Sequence, residues 1–203
     1  MAHARFLLFG LGAIALLVGC GRAAAADIAA GKALADGCAG CHGADGVSQA
    51  PVTPSLAGQP DDFIQWQLVY FRGGSRKSDV IGSEVMGPIA EALSNEDIRN
   101  LGAYYSSLPP PKPEVPASSD ALAVTGGRLA VRQRCRSCHG EDYSGVGPAA
   151  RLSGQREDVL LKALRDFKSG ARVGSGVASM ADATFELNDA DMQALAHYMA
   201  TLP

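Results

Sequence analysis

Apolar side chains recur along this chain at the three- and four-residue spacing of amphipathic helices. The clearest stretches are Phe63, Trp66, Tyr70 and Phe71; Ile98, Leu101, Tyr104 and Tyr105; and Met192, Leu195, Ala196 and Met199. Asp27 is a candidate N-cap for a further helix that ends near Gly37. Asp61 or Asp62 is a candidate N-cap for the helix that contains Phe63. The segment from Ser94 to Asp97 has the composition of a capping box at the start of the next helix. Residues 43–59 are rich in Gly, Pro and Ser, which predicts a loop. The pattern predicts an all-α fold.

The second half of the chain repeats the first. Cys38, Cys41, His42, Gly43, Asp45 and Pro51 recur 97 residues later, and Leu56-x-Gly58-Gln59 recurs as Leu152-x-Gly154-Gln155. The segment from Leu68 to Arg76 recurs as Leu164 to Arg172, and Met86, Leu93, Asp97, Leu101, Tyr104, Leu108 and Pro109 recur 94 residues later. The two halves are therefore predicted to be the same small helical domain.

A proline-rich segment separates the halves. Residues 109–116 contain five prolines in eight positions, which favours a stiff, extended linker over any helix. We place domain 1 at residues 27–108, the linker at 109–120 and domain 2 at 121–203.

Each half carries the pentapeptide C-x-x-C-H, as Cys38–His42 and Cys135–His139. Two thiols one helical turn apart can bond the two vinyl groups of a haem, and the adjacent His supplies an axial ligand. A zinc site would need further ligands, and no other Cys or His follows either motif within fifty residues. A redox dithiol would not need the His. The motifs predict two covalently bound haem c groups, which would also enlarge the small domain cores, with Trp66 as a core or haem-packing residue.

Elimination identifies candidates for the sixth iron ligand. After the N-terminal segment, domain 1 offers one His, His42, and one Met, Met86. Domain 2 offers several candidates, of which Met180 alone matches Met86 in the repeat. Met192 and Met199 follow a core-facing helical pattern, and His197, which corresponds to an alanine, is typical of a surface or hydrogen-bonded histidine. A His/Met iron has a raised reduction potential and no vacant position for substrate, which favours electron exchange.

The N-terminus indicates export. Arg5 precedes a twelve-residue apolar run, Leu7 to Val18, which is too short to span a bilayer but suits a signal peptide. Cleavage after Ala26 would make residues 1–26 the signal. Alternatively, the segment ending at Cys20 resembles a lipobox, in which case the signal is residues 1–19 and Cys20 carries a lipid at the membrane surface. The residues leave both outcomes open.

Together these motifs resemble the cytochrome c4 family of di-haem class-I c-type cytochromes from the bacterial periplasm. The resemblance rests on the doubled C-x-x-C-H, the L-x-G-Q loops, the F-[RK]-x-G-x-R segments and the two Met positions. It implies that Pro51 and Pro148 lie near the axial histidines, where backbone carbonyls orient the imidazoles. It also makes Arg76 and Arg172 candidates for contacts with the haem propionates, although both could be ordinary surface charges.

The charge distribution differs between the halves. Residues 27–108 contain ten acidic and five basic side chains, whereas residues 120–203 contain ten of each. Four arginines lie just before or within the second motif: Arg128, Arg132, Arg134 and Arg136. This basic cluster is either an ordinary solvated helix face or a docking site for an acidic redox partner. An exported protein with a pI of about 5.8 is not expected to bind nucleic acid.

The sequence thus predicts an electron carrier, not an enzyme. The family resemblance implies periplasmic transfer between a quinol-oxidising complex and a terminal oxidase or reductase. The alternative within this class is a cytochrome subunit of a periplasmic dehydrogenase, such as flavocytochrome sulfide dehydrogenase. A di-haem peroxidase is disfavoured, because it requires an open iron and normally a longer chain.

Overall fold

The computed structural model describes residues 25–76, 84–113, 120–174 and 176–203. In domain 1 the helices are α1 Ile28–Ala35, α2 Ala39–His42, α3 Asp61–Arg72, α4 Met86–Glu91 and α5 Asn95–Ser107, with a 3₁₀ turn at Asp36–Cys38. In domain 2 they are α6 Ala121–Arg132, α7 Arg136–His139, α8 Glu157–Ser169, α9 Ala178–Thr184 and α10 Asp189–Ala200. The described residues contain no strand, which confirms the all-α prediction.

Side-chain caps fix the starts of four of the helices in the described ranges, α1, α5, α6 and α10. Asp27 accepts hydrogen bonds from two backbone N–H groups of α1, as predicted. Ser94 and Asp97 form the predicted capping box at α5, and Asn188 and Asp191 form its counterpart at α10.

The predicted Asp cap of α3 is wrong. Pro60 occupies the N-cap position, and Asp61 lies in the first turn, where its carboxylate accepts a hydrogen bond from the Gln65 amide at 2.7 Å. Proline has no side-chain oxygen to accept from the first N–H groups, so the helix starts without a capping side chain.

The first and last helices of each domain cross in close contact, α1 with α5 and α6 with α10. A Cβ atom at Gly31 would lie 2.1 Å from the Asn100 carbonyl oxygen, and one at Gly126 would lie 2.0 Å from that of Ala194. Only glycine permits this approach. The crossing brings α3 against α5 and α8 against α10, so that both domains repeat one packing scheme.

The core of each domain lies between these helices. Met192, Leu195, Ala196 and Met199 are all buried, as the helical pattern predicted. Trp66 is 46 % exposed and stacks on Tyr70, so the prediction that it belongs to the protein core is wrong. The alternative, that Trp66 packs against the haem, stays a prediction.

The start of the proline-rich segment packs on both domains. A Cβ atom at Gly58 would lie 2.8 Å from the Pro110 Cβ, and one at Gly154 would lie 2.6 Å from the Pro111 carbonyl oxygen. Pro111 is buried. The L-x-G-Q loops of the two domains therefore hold residues 110–111 between them.

Several predicted features fall on other parts of the chain. Residues 1–24, with Cys20 and nearly all of the signal peptide, and residues 114–119 of the linker lie outside the described residues. None of the helices in the described ranges combines the length and apolar composition needed to cross a membrane.

Candidate functional site: paired C-x-x-C-H motifs and the surfaces between them

The four motif cysteines lie on short helical turns that follow α1 and α6. Cys38 and Cys135 are half-buried, Cys41 and Cys138 are exposed, and all four thiols are free. Burial raises the pKa of the Cys38 and Cys135 thiols. Each motif thus has one half-buried and one exposed thiol, three residues apart on a helical turn, and both are available to form thioether bonds.

The motif histidines are oriented by backbone carbonyls. The His42 Nδ1–H group donates to the Pro54 carbonyl at 2.8 Å, and the His139 Nδ1–H group donates to the Ala150 carbonyl at 2.7 Å. Burial lowers the pKa of both imidazoles. Because Nδ1 carries the proton in each neutral ring, the Nε2 lone pair is left to bind iron.

The accepting carbonyls are not those of Pro51 and Pro148. Both prolines are exposed, and the Pro51 carbonyl accepts a hydrogen bond from the Thr53 hydroxyl at 3.3 Å instead. The predicted loops are the ones that contact the histidines, but the chain turns after each proline and presents a later carbonyl. The orienting loops are therefore the predicted ones, and Pro54 and Ala150 are the residues in them whose carbonyls accept from the histidines.

The two predicted methionine ligands are placed equivalently. Met86 is the first residue of α4, which packs on α3, and Met180 lies in α9, which packs on α8. Both side chains are half-buried, whereas Met192 and Met199 are buried in the core of domain 2. The His197 ring donates to the carboxylates of Glu157 and Asp120, at 3.0 and 3.2 Å, as predicted for a hydrogen-bonded histidine.

Arg76 and Arg172 meet at the domain interface. One guanidinium nitrogen of each reaches the Gln67 side-chain oxygen, at 2.6 Å for Arg76 and 3.2 Å for Arg172. The guanidinium groups lie over the rings of Phe71 and Phe167 at 4.2 and 4.5 Å. Burial lowers the pKa of both side chains, that of Arg172 to about 10, and the neighbouring Arg172 charge further lowers the pKa of Arg76.

These arginines have unused donors that favour an anionic ligand. The Nε atoms of Arg76 and Arg172 are shielded from solvent and have no hydrogen-bond partner within the described ranges. Two closely spaced positive charges that share one neutral amide oxygen are unfavourable unless negative charge compensates them. The Asp166 carboxylate raises the pKa of both arginines but already forms an ion pair with Lys162, so a further anionic group would be stabilising. A haem with its propionates would supply such groups. The free thiols, the oriented imidazoles and these unpaired donors all fit haem c.

Two buried tyrosines lie beside the first cysteine of each motif. Tyr105 comes from α5, and burial and the adjacent Cys38 raise its pKa, whereas Tyr143 comes from the loop after the second motif. Both hydroxyl groups are buried and have no hydrogen-bond partner among the residues that the structure describes. Sequence analysis placed Tyr105 in a helical stripe but identified no role beside the motif for either tyrosine, because the two do not occupy equivalent positions in the repeat.

The glutamines of the repeated L-x-G-Q segment also have a role that sequence analysis missed. Gln59 and Gln155 are 4 % and 5 % exposed and bind backbone groups of the opposite domain. Their recurrence in the repeat was the available signal. Gln67 gave none, because the equivalent position in domain 2 is Ala163.

Comparison with known proteins agrees with this description. The family model for cytochrome c matches the chain twice, at residues 28–109 and 123–203. The chain is 35 % identical over 194 residues to cytochrome c4 of Azotobacter vinelandii, covering 88 % of this chain and 90 % of that protein. It is also 35 % identical over 192 residues to the thiosulfate dehydrogenase electron acceptor of Thiomonas intermedia, covering 89 % of this chain and 85 % of that protein.

A solved structure shares the two-domain arrangement. Reduced recombinant cytochrome c4 from Pseudomonas stutzeri superposes with a TM-score of 0.76 at 30 % identity, covering 88 % of this chain and 100 % of that one. The doubled motif, the doubled family match and the shared two-domain fold lead to one conclusion. The chain belongs to the cytochrome c4 family and is an electron-transfer protein with two covalently bound haem c groups.

Proposed function

We propose that this protein carries electrons in the periplasm, from a quinol-oxidising complex to a terminal oxidase or reductase. The observation that supports it best is the equivalence of the two sites, each with two free thiols and an imidazole held through Nδ1 by a loop carbonyl. Two matched sites, in domains that share one interface, suit transfer of one electron per haem. The apolar export segment of the sequence supports a periplasmic location.

We assign His42 and Met86 to the iron of haem 1, and His139 and Met180 to that of haem 2. The thioether is a soft, neutral ligand that favours ferrous iron and raises the potential. With both axial positions taken, there is no vacant site at which a substrate could bind. This assignment separates a carrier from a peroxidase, which needs an open iron.

We assign the propionates of the two haems to Arg76 and Arg172. Their unpaired, buried Nε donors lie at the surface between the domains, where each guanidinium is held by Gln67 and by a phenylalanine ring. Charge-assisted hydrogen bonds to carboxylates would satisfy these donors and compensate the paired positive charges. The alternative, that both arginines are ordinary surface charges, does not account for the burial of these Nε atoms.

The ligand assignment is tested by methionine replacement in the full-length holo protein. Met86→Ala and Met180→Ala should each remove about half of the far-red methionine-to-ferric-iron band, because each haem contributes one such bond. Met192→Leu is the matched control, since Met192 is buried in the core and should leave the band intact. If the band were unchanged in one of the alanine variants, the assignment of that methionine as an iron ligand would be wrong.

Binding of carbon monoxide and cyanide distinguishes a carrier from an enzyme. The wild-type protein should bind neither ligand to a significant extent in the reduced or oxidised state, whereas Met86→Ala should bind them at one haem. Rapid, stoichiometric binding by wild type would favour an open-iron enzyme and contradict the proposal.

A second candidate function is supported by one of the relatives. The Thiomonas intermedia protein is named a thiosulfate dehydrogenase electron acceptor, which makes a periplasmic dehydrogenase an alternative electron donor for this chain. The test is stopped-flow reduction of the oxidised protein by each purified donor complex. Faster reduction by a thiosulfate dehydrogenase than by a quinol-oxidising complex would favour the second candidate.

A further inference from the structure

Gln59 and Gln155 form a reciprocal pair of contacts across the domain interface. The Gln59 side chain accepts from the Arg151 N–H group at 2.9 Å and donates to the Arg151 carbonyl at 3.0 Å. The Gln155 side chain does the same with Ser55, accepting at 2.9 Å and donating at 2.9 Å. Each glutamine thus pairs with both backbone groups of one residue in the opposite domain.

The two residues that the glutamines bind, Ser55 and Arg151, each follow the residue whose carbonyl orients an axial histidine. Ser55 follows Pro54, whose carbonyl accepts from His42, and Arg151 follows Ala150, whose carbonyl accepts from His139. The carbonyl of one residue and the N–H of the next belong to the same peptide group, which is planar and rigid.

A single peptide group therefore connects each imidazole to a glutamine of the other domain. In domain 1 the connection runs from His42 Nδ1–H to the Pro54 carbonyl, and from the Ser55 N–H to Gln155. In domain 2 it runs from His139 Nδ1–H to the Ala150 carbonyl, and from the Arg151 N–H to Gln59. The glutamines are almost fully buried, so the bonds are not exposed to competing water.

We propose that Gln59 and Gln155 are positioning residues, each of which sets the axial histidine of the opposite haem through this shared peptide group. The inference rests on His42 and His139 being iron ligands, as proposed above. A peptide N–H that donates to an amide oxygen polarises its own carbonyl, which then accepts more strongly from the imidazole. A stronger Nδ1–H bond makes the imidazole a more basic ligand and stabilises ferric iron.

The proposal predicts a crossed effect. Gln59→Leu should raise the potential of haem 2, and Gln155→Leu should raise that of haem 1. We expect about a threefold change in the ratio of oxidised to reduced haem at fixed potential, which is roughly 30 mV for a one-electron couple. The Nδ1 proton of the affected histidine should also exchange faster with solvent, because its hydrogen bond is weakened.

The experiment uses the full-length holo protein and methods that resolve the two haems. Paramagnetic NMR follows the haem methyl signals of each site during a redox titration, and it also measures exchange of the two Nδ1 protons. Gln193→Leu is the matched control, because it removes the same amide from an exposed position on α10.

The pattern of shifts decides between positioning and general loosening. A shift confined to the opposite haem in both variants supports the proposal. A shift of the same-domain haem, an equal shift of both haems, or no shift overturns it, because loosened domains would affect both sites alike. A wild-type spectrum without low-spin, histidine-bound haem would instead contradict the proposed function.

Discussion

The two domains share one backbone scheme but fill it with different side chains. The Gly46 carbonyl accepts from Leu56 N–H and Ala57 N–H, and the Tyr143 carbonyl accepts from Leu152 N–H and Ser153 N–H in the same way. Tyr143 thus occupies the position that glycine holds in domain 1. Both residues have positive φ, 76° for Gly46 and 59° for Tyr143, a conformation that is unfavourable for tyrosine.

A compensating exchange accounts for this difference. The Gly58 N–H donates to the Tyr105 carbonyl, and the Gly154 N–H donates to that of Met199, so Tyr105 and Met199 are structural equivalents. Domain 1 therefore combines Gly with Tyr, and domain 2 combines Tyr with Met. One aromatic ring fills the space beside the first cysteine in each domain, but it comes from the helix in one and from the loop in the other.

The polar contacts differ as well. Gln67 of domain 1 is shared by both interface arginines, and domain 2 has Ala163 at that position. His197 links α10 to the starts of α6 and α8, where domain 1 has Ala103. Matched cofactor sites therefore lie in unequal surroundings, which is a physical basis for unequal potentials and stabilities.

The largest expected effect tests what the domains share. Gly31→Ala and Gly126→Ala should each destabilise the protein by about 1–3 kcal/mol or more, because the added Cβ overlaps a backbone carbonyl across the helix crossing. Thermal unfolding of the holo protein measures this. Gly127→Ala is the control, since its Cβ meets nothing closer than 3.4 Å. Equal stability of Gly126→Ala and the control would contradict the close crossing.

The next prediction tests the tyrosine exchange by a double-mutant cycle in domain 1. Gly46→Tyr alone should be destabilising, because a Cβ there lies 3.2 Å from the Tyr105 ring and the new ring needs the same space. Adding Tyr105→Met reproduces the domain 2 combination and should recover part of the loss. We expect a coupling energy of about 0.5–3 kcal/mol. If the changes in the free energy of unfolding, measured with denaturant, were strictly additive, the two side chains would not compete for the same space.

A smaller effect should make domain 2 pH-dependent. Hydrogen bonds with Glu157, and then with Asp120, raise the pKa of His197 above its usual value. The resulting stabilisation is fully present below the unfolded-state pKa of about 6.5 and is lost as pH rises through the higher folded-state pKa. Because both carboxylates are about half exposed, we expect no more than about 1 kcal/mol.

The His197 prediction is tested by unfolding free energies measured across this pH range. His197→Ala, which copies Ala103 of domain 1, should abolish the loss of stability between pH 6 and the raised pKa. An identical pH dependence in wild type and variant would assign the effect to other groups.

The smallest expected effect concerns surface charge. Changing Arg132, Arg134 and Arg136 to Gln should lower the potential of haem 2, because nearby positive charges favour the ferrous state. We expect about a twofold change in the redox ratio at low salt, roughly 20 mV, and less at high salt. A redox titration at two ionic strengths checks this, and a salt-independent shift would mean that the effect is not electrostatic.

The sequence alone determined the features that depend on local chemistry. The C-x-x-C-H spacing, the capping box at Ser94 and the doubled domain follow from residues close together in the chain or from a direct repeat. The buried methionine stripe of α10 follows from helical periodicity. Such features are set by covalent geometry and by contacts within one or two helical turns, so no knowledge of the tertiary fold was required.

The tertiary structure decided what depends on distant residues meeting. The orienting carbonyls are those of Pro54 and Ala150 because of how the loops turn at Pro51 and Pro148. Trp66 fits the helical stripe of α3 by its spacing, but it is exposed once the helices have packed. The contacts of Gln59 with Arg151 join residues 92 positions apart. Periodicity and spacing carry no information about such pairs, since their geometry is fixed only when the two domains pack together.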